Sequence, residues 1–284
     1  MTDIPPVPLT IEGASVLHQL FEFDWKAWRG SPDRHRILEE AAAALHDLEP
    51  GKQPEGEQSR TIQSALYSVL GHKGDLMLVH FRDSIEDLNR IELALAQTGF
   101  HSFLKPKFSY LSIVELSLYE SSRKTYSSLA EQGLEQHSPE WNAAIEKVLD
   151  RQREAMAQRL FPSIPATKHI CFYPMNRLRT GDQNWYALPL DQRRQLMHDH
   201  GMIGRRYGDR VRQIISGSIG LDDWEWGVDL FAEDPAVFKQ LIYEMRFDEA
   251  SSLYADFSSF YVGIRLPIDQ LAAWTEGRLP GASD

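Results

Sequence analysis

One order of extended and helical runs occurs twice along this chain, and that repetition constrains its fold more than any single motif. Apolar and polar residues alternate in "ASVLHQLFEFDW" (14–25), which predicts a strand. The next run, "SPDRHRILEEAAAALHDLE", predicts a helix, because Ile37, Leu38, Ala41, Leu45 and Leu48 recur at helical spacing behind a Ser-Pro start. Two extended runs, "RTIQSALYSVLG" and "GDLMLVHFRD", flank the turn-prone "HKGD". A second helix, "SIEDLNRIELALAQTGF", lines up Ile85, Leu88, Ile91 and Leu95, and a strand at 107–119 closes the series. The second half repeats it, with a strand at 168–173, a helix at about 190–199, strands at 210–219 and 224–231, a helix at 235–247 and a strand at 257–266.

The order βαββαβ is the ferredoxin-like arrangement, so the chain reads as α+β, built of two ferredoxin-like units in tandem. Residues 1–120 form the first unit and 166–284 the second, joined by a charged helical segment at 121–165. Each four-stranded sheet carries helices on one face and must hide the other. Joining the two as an α+β barrel does so, and simple face-to-face packing is the alternative.

Composition narrows the function. The 284 residues, 42% hydrophobic, suffice for a substantial core, and the net charge of -11 argues against a general nucleic-acid or acidic-membrane binder. Any anionic ligand must meet a local group of arginines. No run of about 18 apolar residues occurs, and "MTDIPPVPLTIEG" lacks a signal-peptide layout, so no membrane span is expected and the cytoplasm is the expected compartment. The single cysteine, Cys171, agrees with a reducing compartment and reads as a small core residue.

The segment "YPMNRLRTGDQNWYALP" (173–189) follows a short apolar strand. Ile170 and Phe172 fall on one face of that strand, Cys171 and Tyr173 on the other. A buried tyrosine ordinarily anchors a hydrogen bond, but Arg177 and Arg179 in the following turn bring charge that suits carboxylates or phosphates. Downstream, "RRQLMHDHGMIGRRYGD" holds His198 and His200, which at i and i+2 on a helix face different ways, so one works alone. Gly201 lets the chain leave the helix, which favours His200, its imidazole aimed into the barrel. A single imidazole holds a bare metal ion poorly but suffices as the axial ligand of a haem. Trp185, Tyr186, Trp224, Trp226, Phe231, Phe257, Phe260 and Tyr261 suit a large planar ligand, although such residues are ordinarily core. Glycine-rich phosphate loops, Gly-x-Ser-x-Gly elbows, His-Glu-x-x-His helices and Cys-x-x-Cys pairs are absent.

The stretches "YPMNRLRTGDQNWYALPLDQRRQLMHDHG", "RQIISGSIGLDDWEWGVDLF" and "FKQLIYEMRFDEASSLYADF" together resemble the chlorite dismutase-like superfamily of haem proteins, and within it the coproheme decarboxylase branch. "LHQLFEFDWKAW" and "YLSIVELSLYE" fit as well. The resemblance implies a two-repeat (dimeric) α+β barrel assembled as a homopentamer, with the porphyrin in the second repeat. It implies oxidative decarboxylation of two propionates of iron coproporphyrin III (coproheme) to vinyls, giving haem b, with hydrogen peroxide as oxidant in bacterial haem biosynthesis. Transient contact with the coproporphyrin ferrochelatase is implied too.

Carried onto this chain, the resemblance makes Tyr173 the tyrosine that becomes a radical, His200 the iron ligand and Gln213 the residue on the opposite side of the iron. Arg159 and Ser251 match residues that hold propionates, and Met175 matches a porphyrin-edge position. Chlorite dismutases carry an arginine where Gln213 stands, which disfavours chlorite as substrate. Where decarboxylases carry a lysine, this chain has Arg177, which keeps the charge but cannot give up a proton. A haem-bound chlorite dismutase or peroxidase-like enzyme, and a non-catalytic porphyrin-binding protein, are the alternatives.

Overall fold

A computed structural model describes residues 5–45 and 62–280. The first strand, β1 (Thr10–Phe23), ends where Asp24 caps the short helix α1 (Trp25–Gly30), its carboxylate accepting from the Ala27 amide at 3.0 Å. Helix α2 (Arg34–Leu45) buries Ile37, Ala41 and Leu45, as its spacing predicts, and the predicted continuation through Leu48 lies outside the described residues. Strands β2 (Gln63–Val69) and β3 (Leu76–Arg82) follow, then α3 (Ile85–Ala96), capped by Ser84, and β4 (Leu104–Ser117). Helices α4 (Tyr119–Glu131), α5 (Pro139–Ala155) and α6 (Ala157–Leu160) make the charged connection.

The second half opens with β5 (His169–Arg177), a two-residue hairpin of β6 (Arg179–Thr180) and β7 (Gln183–Asn184), and α7 (Leu190–Arg205). Then come β8 (Arg212–Gly217), β9 (Trp226–Ala232), α8 (Ala236–Met245), α9 (Glu249–Ser252), β10 (Ala255–Phe257), β11 (Tyr261–Arg265) and α10 (Leu271–Thr275). The result is a mixed α+β fold with ten α-helices among the described residues and one large antiparallel sheet. None of these helices is long and apolar enough to cross a membrane.

Two predicted boundaries move. The helix expected to stop near residue 199 runs through Gly201 to Arg205, because glycine permits a helix to end but does not compel it and α7 continues in contact with α8 and α9. The strand expected at 257–266 breaks in two. Phe257 pairs with Met175 but Tyr261 with Phe172, a one-residue change of register at Pro174, which has no amide to donate.

The pairings of the large sheet return to their start. They run β5-β11-β2-β3-β1-β4-β8-β9, and β9 pairs again with β5 from His169↔Ala232 to Met175↔Trp226. The first half contributes β2-β3-β1-β4 and the second β8-β9-β5-β11. The seams are β4 with β8, at Ile113↔Gly217, and β2 with β11, at Val69↔Gly263.

Alternation then divides every strand between an enclosed face and an outer one. Val16, Leu20, Val79, Phe81, Val114, Ile170, Phe172, Ile214 and Phe231 fill the enclosed side. Inside it, His18 stacks on Phe172 (ring centroids 3.8 Å apart, 8° between planes) and its Nε2 lies 2.9 Å from Asp229 Oδ1. Outward-facing residues pack beneath the helices, with α2, α3 and α10 over the first half and α8 over β5 and β9.

One outward row holds two carboxylates. Glu12 and Glu115 are direct cross-strand partners, and Glu115 lies across Gly217, where any Cβ would stand 2.3 Å from its Oε2. Burial, with Glu12 adding to it, lifts the Glu115 carboxyl to about 7 against a slight opposing bond from Ser117. The folded chain therefore holds a proton that the unfolded chain releases near 4.5, so this group's contribution to stability is lost as pH rises from about 4.5 through about 7. Glu115→Gln removes that dependence, and thermal melts across this range should show the variant gaining on the parent as pH rises.

Candidate functional site

Cross-strand register assembles the site. On the outer face, Tyr173 of β5 pairs with Val228 of β9, which pairs with Ile215 of β8, so the three form one row. Cys171, Leu230 and Gln213 make the next row on one side, and Met175, Trp226 and Gly217 the next on the other. Tyr173 and Ile215 are two strand spacings apart, about 10 Å. Gln213, one pair along β8, faces the same way.

Helix α7 supplies the opposite wall. His200 and Gly204 are one turn apart and share a face of this helix. A Cβ on Gly204 would lie 3.3 Å from Gln213 Nε2, so the missing side chain is what lets the helix settle over that amide. His200 therefore looks toward the outer face of β8 and β9. The expectation that it points into the barrel is not met, because the enclosed side is filled by apolar packing and α7 lies outside it, against α4, α8 and α9.

The imidazole is oriented from behind. Its Nδ1 is 3.0 Å from Asp248 Oδ2, and Asp248 also accepts from the Ser251 amide and hydroxyl, each at 3.0 Å. Burial pushes the Asp248 carboxyl upward, but the His200 contact and the two Ser251 bonds outweigh it and hold the carboxyl below its ordinary value. A carboxylate here fixes the proton on Nδ1 and leaves Nε2 with its lone pair free, the arrangement of a metal-ligating histidine. His200 keeps 23% of its side chain exposed, whereas Asp248 keeps 6%.

Tyr173 is buried and packed on Phe260 and Phe257 at 4.5 and 5.8 Å between ring centroids. Burial raises its phenol far above the ordinary value, the Cys171 thiol adds to that, and the charges of Arg246 and Arg177 only partly offset it. The guanidinium of Arg246 lies 3.8 Å from the centre of the Phe257 ring.

The remaining predicted residues lie in several places. Met175 is buried in the same cluster as Tyr173. Ser251 spends its hydroxyl on Asp248. Arg159 sits on α6, exposed, its guanidinium 4.0 Å from Met156 Sδ. Arg177 is turned inward rather than offered to solvent, donating to the Ala250 carbonyl at 2.7 Å and to Met197 Sδ at 3.3 Å over the face of Trp185. Arg179 remains exposed, 3.5 Å from Glu225. His198, the other candidate histidine, is exposed.

Sequence reasoning missed Asp248 and Arg246. Asp248 lies 48 residues from His200 and looks like an ordinary helix cap, and Arg246 had no marker at all.

A planar ligand with carboxylates fits these groups. Ile215 is 41% exposed in the middle of a sheet face, which leaves an apolar shelf uncovered between Tyr173 and α7. Beside it, the Trp226 indole N–H is buried with no hydrogen-bond partner among the described residues, a donor suited to an incoming acceptor. A bare metal ion does not fit, since no group of three or more His, Cys, Asp or Glu side chains converges among the described residues. Two surface grooves lie elsewhere, one of about 390 Å³ between α4 and α5 and one of about 610 Å³ beside α3, and neither touches Tyr173, His200 or Gln213.

Comparison with known proteins gives the family. The family model "Chlorite dismutase" matches residues 34–266, and the chain belongs to that family. Two archaeal relatives carry the name "Putative heme-binding protein". The one from Halobacterium salinarum is 40% identical over 99% of this chain, and the one from Natronomonas pharaonis 40% identical over 94%. The chain spans only 52% and 41% of their respective lengths. Among solved structures, a heme-binding protein from Thermus thermophilus is 36% identical, covers 96% of this chain and 99% of its own, and superposes with a TM-score of 0.79. A chlorite dismutase variant from Candidatus Nitrospira defluvii shares the fold, with a TM-score of 0.65 at 16% identity over 93% of this chain and 96% of its own.

Cys171 faces the same cluster as Tyr173, and burial, with the nearby Asp229 charge, pushes its thiol up to about 12. In the folded protein at pH 8 it should resist iodoacetamide, and it should alkylate at once after unfolding, as intact-mass measurement will show.

Proposed function

We propose that this chain binds an iron porphyrin between α7 and the outer face of β8, β9 and β5, and acts as a coproheme decarboxylase. The observation that carries the reading is the single outward face on which Tyr173 and Gln213 stand, facing an imidazole whose Nδ1 is already engaged by Asp248. The names of the relatives from Halobacterium salinarum, Natronomonas pharaonis and Thermus thermophilus support a haem-type ligand.

On this reading His200 Nε2 would hold the iron, and Gln213, a neutral donor and acceptor, would meet the oxidant. When bound, the iron porphyrin is both substrate and redox centre, with hydrogen peroxide as oxidant. Tyr173 gives up an electron and its phenolic proton, then takes a hydrogen atom from the Cβ of a propionate. Loss of a second electron breaks the bond to the carboxylate and leaves a vinyl group. Each propionate, one peroxide and one proton become one vinyl, one carbon dioxide and two waters. Arg246, Arg159 and the Trp226 indole are the groups assigned to the propionate carboxylates, with Ser251 steadying the histidine side and Met175 packing at the porphyrin edge.

The wider reading completes the family picture: two duplicated ferredoxin-like units, divided near residues 120 and 166, close as a dimeric α+β barrel. It assembles as a homopentamer in the cytoplasm, makes haem b for bacterial haem biosynthesis, and meets the coproporphyrin ferrochelatase transiently.

Iron coproporphyrin III titrated with peroxide should lose one carbon dioxide and two hydrogens per reacted propionate by mass, at two propionates per porphyrin. Unchanged mass together with oxygen release from chlorite would overturn the assignment. Tyr173→Phe should keep porphyrin affinity and cut conversion by at least about 100-fold, about 2.7 kcal/mol of barrier. His200→Ala should lose the axial ligand's spectral signature, and a variant with an unaltered spectrum would remove His200 from that role.

A further inference from the structure

Arg177 is a buried cation at 9% exposure whose bonds do not point at the candidate ligand site. One amine of its guanidinium donates to the carbonyl of Ala250 at 2.7 Å, and the other reaches Met197 Sδ at 3.3 Å. Its Cζ lies 4.4 Å from the centre of the Trp185 ring. Both partners matter by position. Ala250 sits in α9 between Asp248 and Ser251, the two residues that contact His200 Nδ1, at 3.0 and 3.4 Å. Met197 lies one turn before His200 on α7. The same cluster packs Trp185, Leu196, Ala250 and Tyr254 together. Its backbone is fixed as well, because the Arg177 amide donates to the buried Glu225 carboxylate at 2.8 Å.

We infer that Arg177 is a positioning residue for His200, a clamp that ties β5 to both α7 and α9 and so sets the Asp248–His200 contact. The inference rests on the reading of His200 as axial ligand and gives this arginine a task other than pairing a propionate. A fork with two amines can hold a carbonyl and a thioether at once with its central carbon over an indole. A lysine has one compact charged end and would keep the carbonyl bond alone. A carboxylate that holds Nδ1–H raises the donor strength of Nε2, so a clamp on that contact acts on the iron at a distance.

The test uses the full chain, first without porphyrin. In imidazole-labelled apoprotein, nitrogen NMR reads the His200 tautomer, which should be Nδ1–H in the parent. Asp248→Asn sets the scale for complete loss. Arg177→Lys and Met197→Leu, both conservative enough to fold, should each shift the population toward Nε2–H by a part of that scale. After loading with haem b, the ferrous iron–histidine stretch should fall in the same order of variants. If both clamp variants keep the parent tautomer and stretch while Asp248→Asn moves them, the inference is wrong, even if their melting temperatures drop. Should the protein take up no porphyrin, the proposed function fails, and the apoprotein tautomer still decides the clamp.

Discussion

Closure of the sheet is the constraint on which everything else in this structure depends. Once β9 pairs with β5, and the seams β4–β8 and β2–β11 form, each strand has an enclosed face and an outer face, and no sheet edge of this ring is left open. A slip of one residue in any of these ladders would exchange the two faces. It would bring Tyr173 inside and expel Phe172. The pair of His18 and Asp229 opposes such a slip, because it joins β1 to β9 through the enclosed core with both side chains almost wholly buried. Removing one partner of a buried pair typically costs about 3–5 kcal/mol, so the correct register is favoured by polar geometry as well as by apolar packing.

The sequence made much of this legible. Period-2 alternation located the strands, helical spacing located the buried faces of α2 and α3 except that Ile85 is exposed and Leu38 half-buried, and the assignment of Phe172 and Tyr173 to opposite faces of β5 agrees with the structure. Alternation cannot tell which face will be enclosed, however, because that depends on ladders between residues more than a hundred positions apart, such as Ile113 with Gly217. This is why His200 was aimed at the wrong side of the sheet. Gly201 misled for a related reason: glycine permits a helix to end but does not compel it, and packing against α8 and α9 carries α7 onward.

Asp248 and Arg177 show a second limit. In one dimension Asp248 goes unremarked and Arg177 reads as a cation offered to a ligand's carboxylates. Their roles depend on contacts that span 48 and 73 residues, from His200 to Asp248 and from Arg177 to Ala250. The net charge of -11 was informative only in the negative. It argued against a general polyanion binder, whereas the charges near the candidate site are individually placed, Arg177, Glu225 and Asp248 buried and Arg179 and Arg246 exposed. Glu225 is an example, accepting from the Arg177 amide and from the Tyr186 hydroxyl with Arg179 beside it, so that an anion organises the turn that follows β5.

The state of Tyr173 limits the chemistry it can perform. Burial among Phe257 and Phe260 keeps the phenol protonated throughout the physiological range, and the positive fields of Arg246 and Arg177 do not reverse that. A neutral phenol is hard to oxidise by electron loss alone, since the resulting cation would be stranded in an apolar setting. Electron and proton must therefore leave together, which requires an acceptor for the proton in contact with the hydroxyl at the moment of oxidation. A ligand carboxylate on the outer face is suited to that task, and Arg246 beside Phe257 can hold such a group in place. On the proposed function, the burial that makes Tyr173 look like an ordinary core residue would tie its oxidation to the arrival of a carboxylate-bearing ligand.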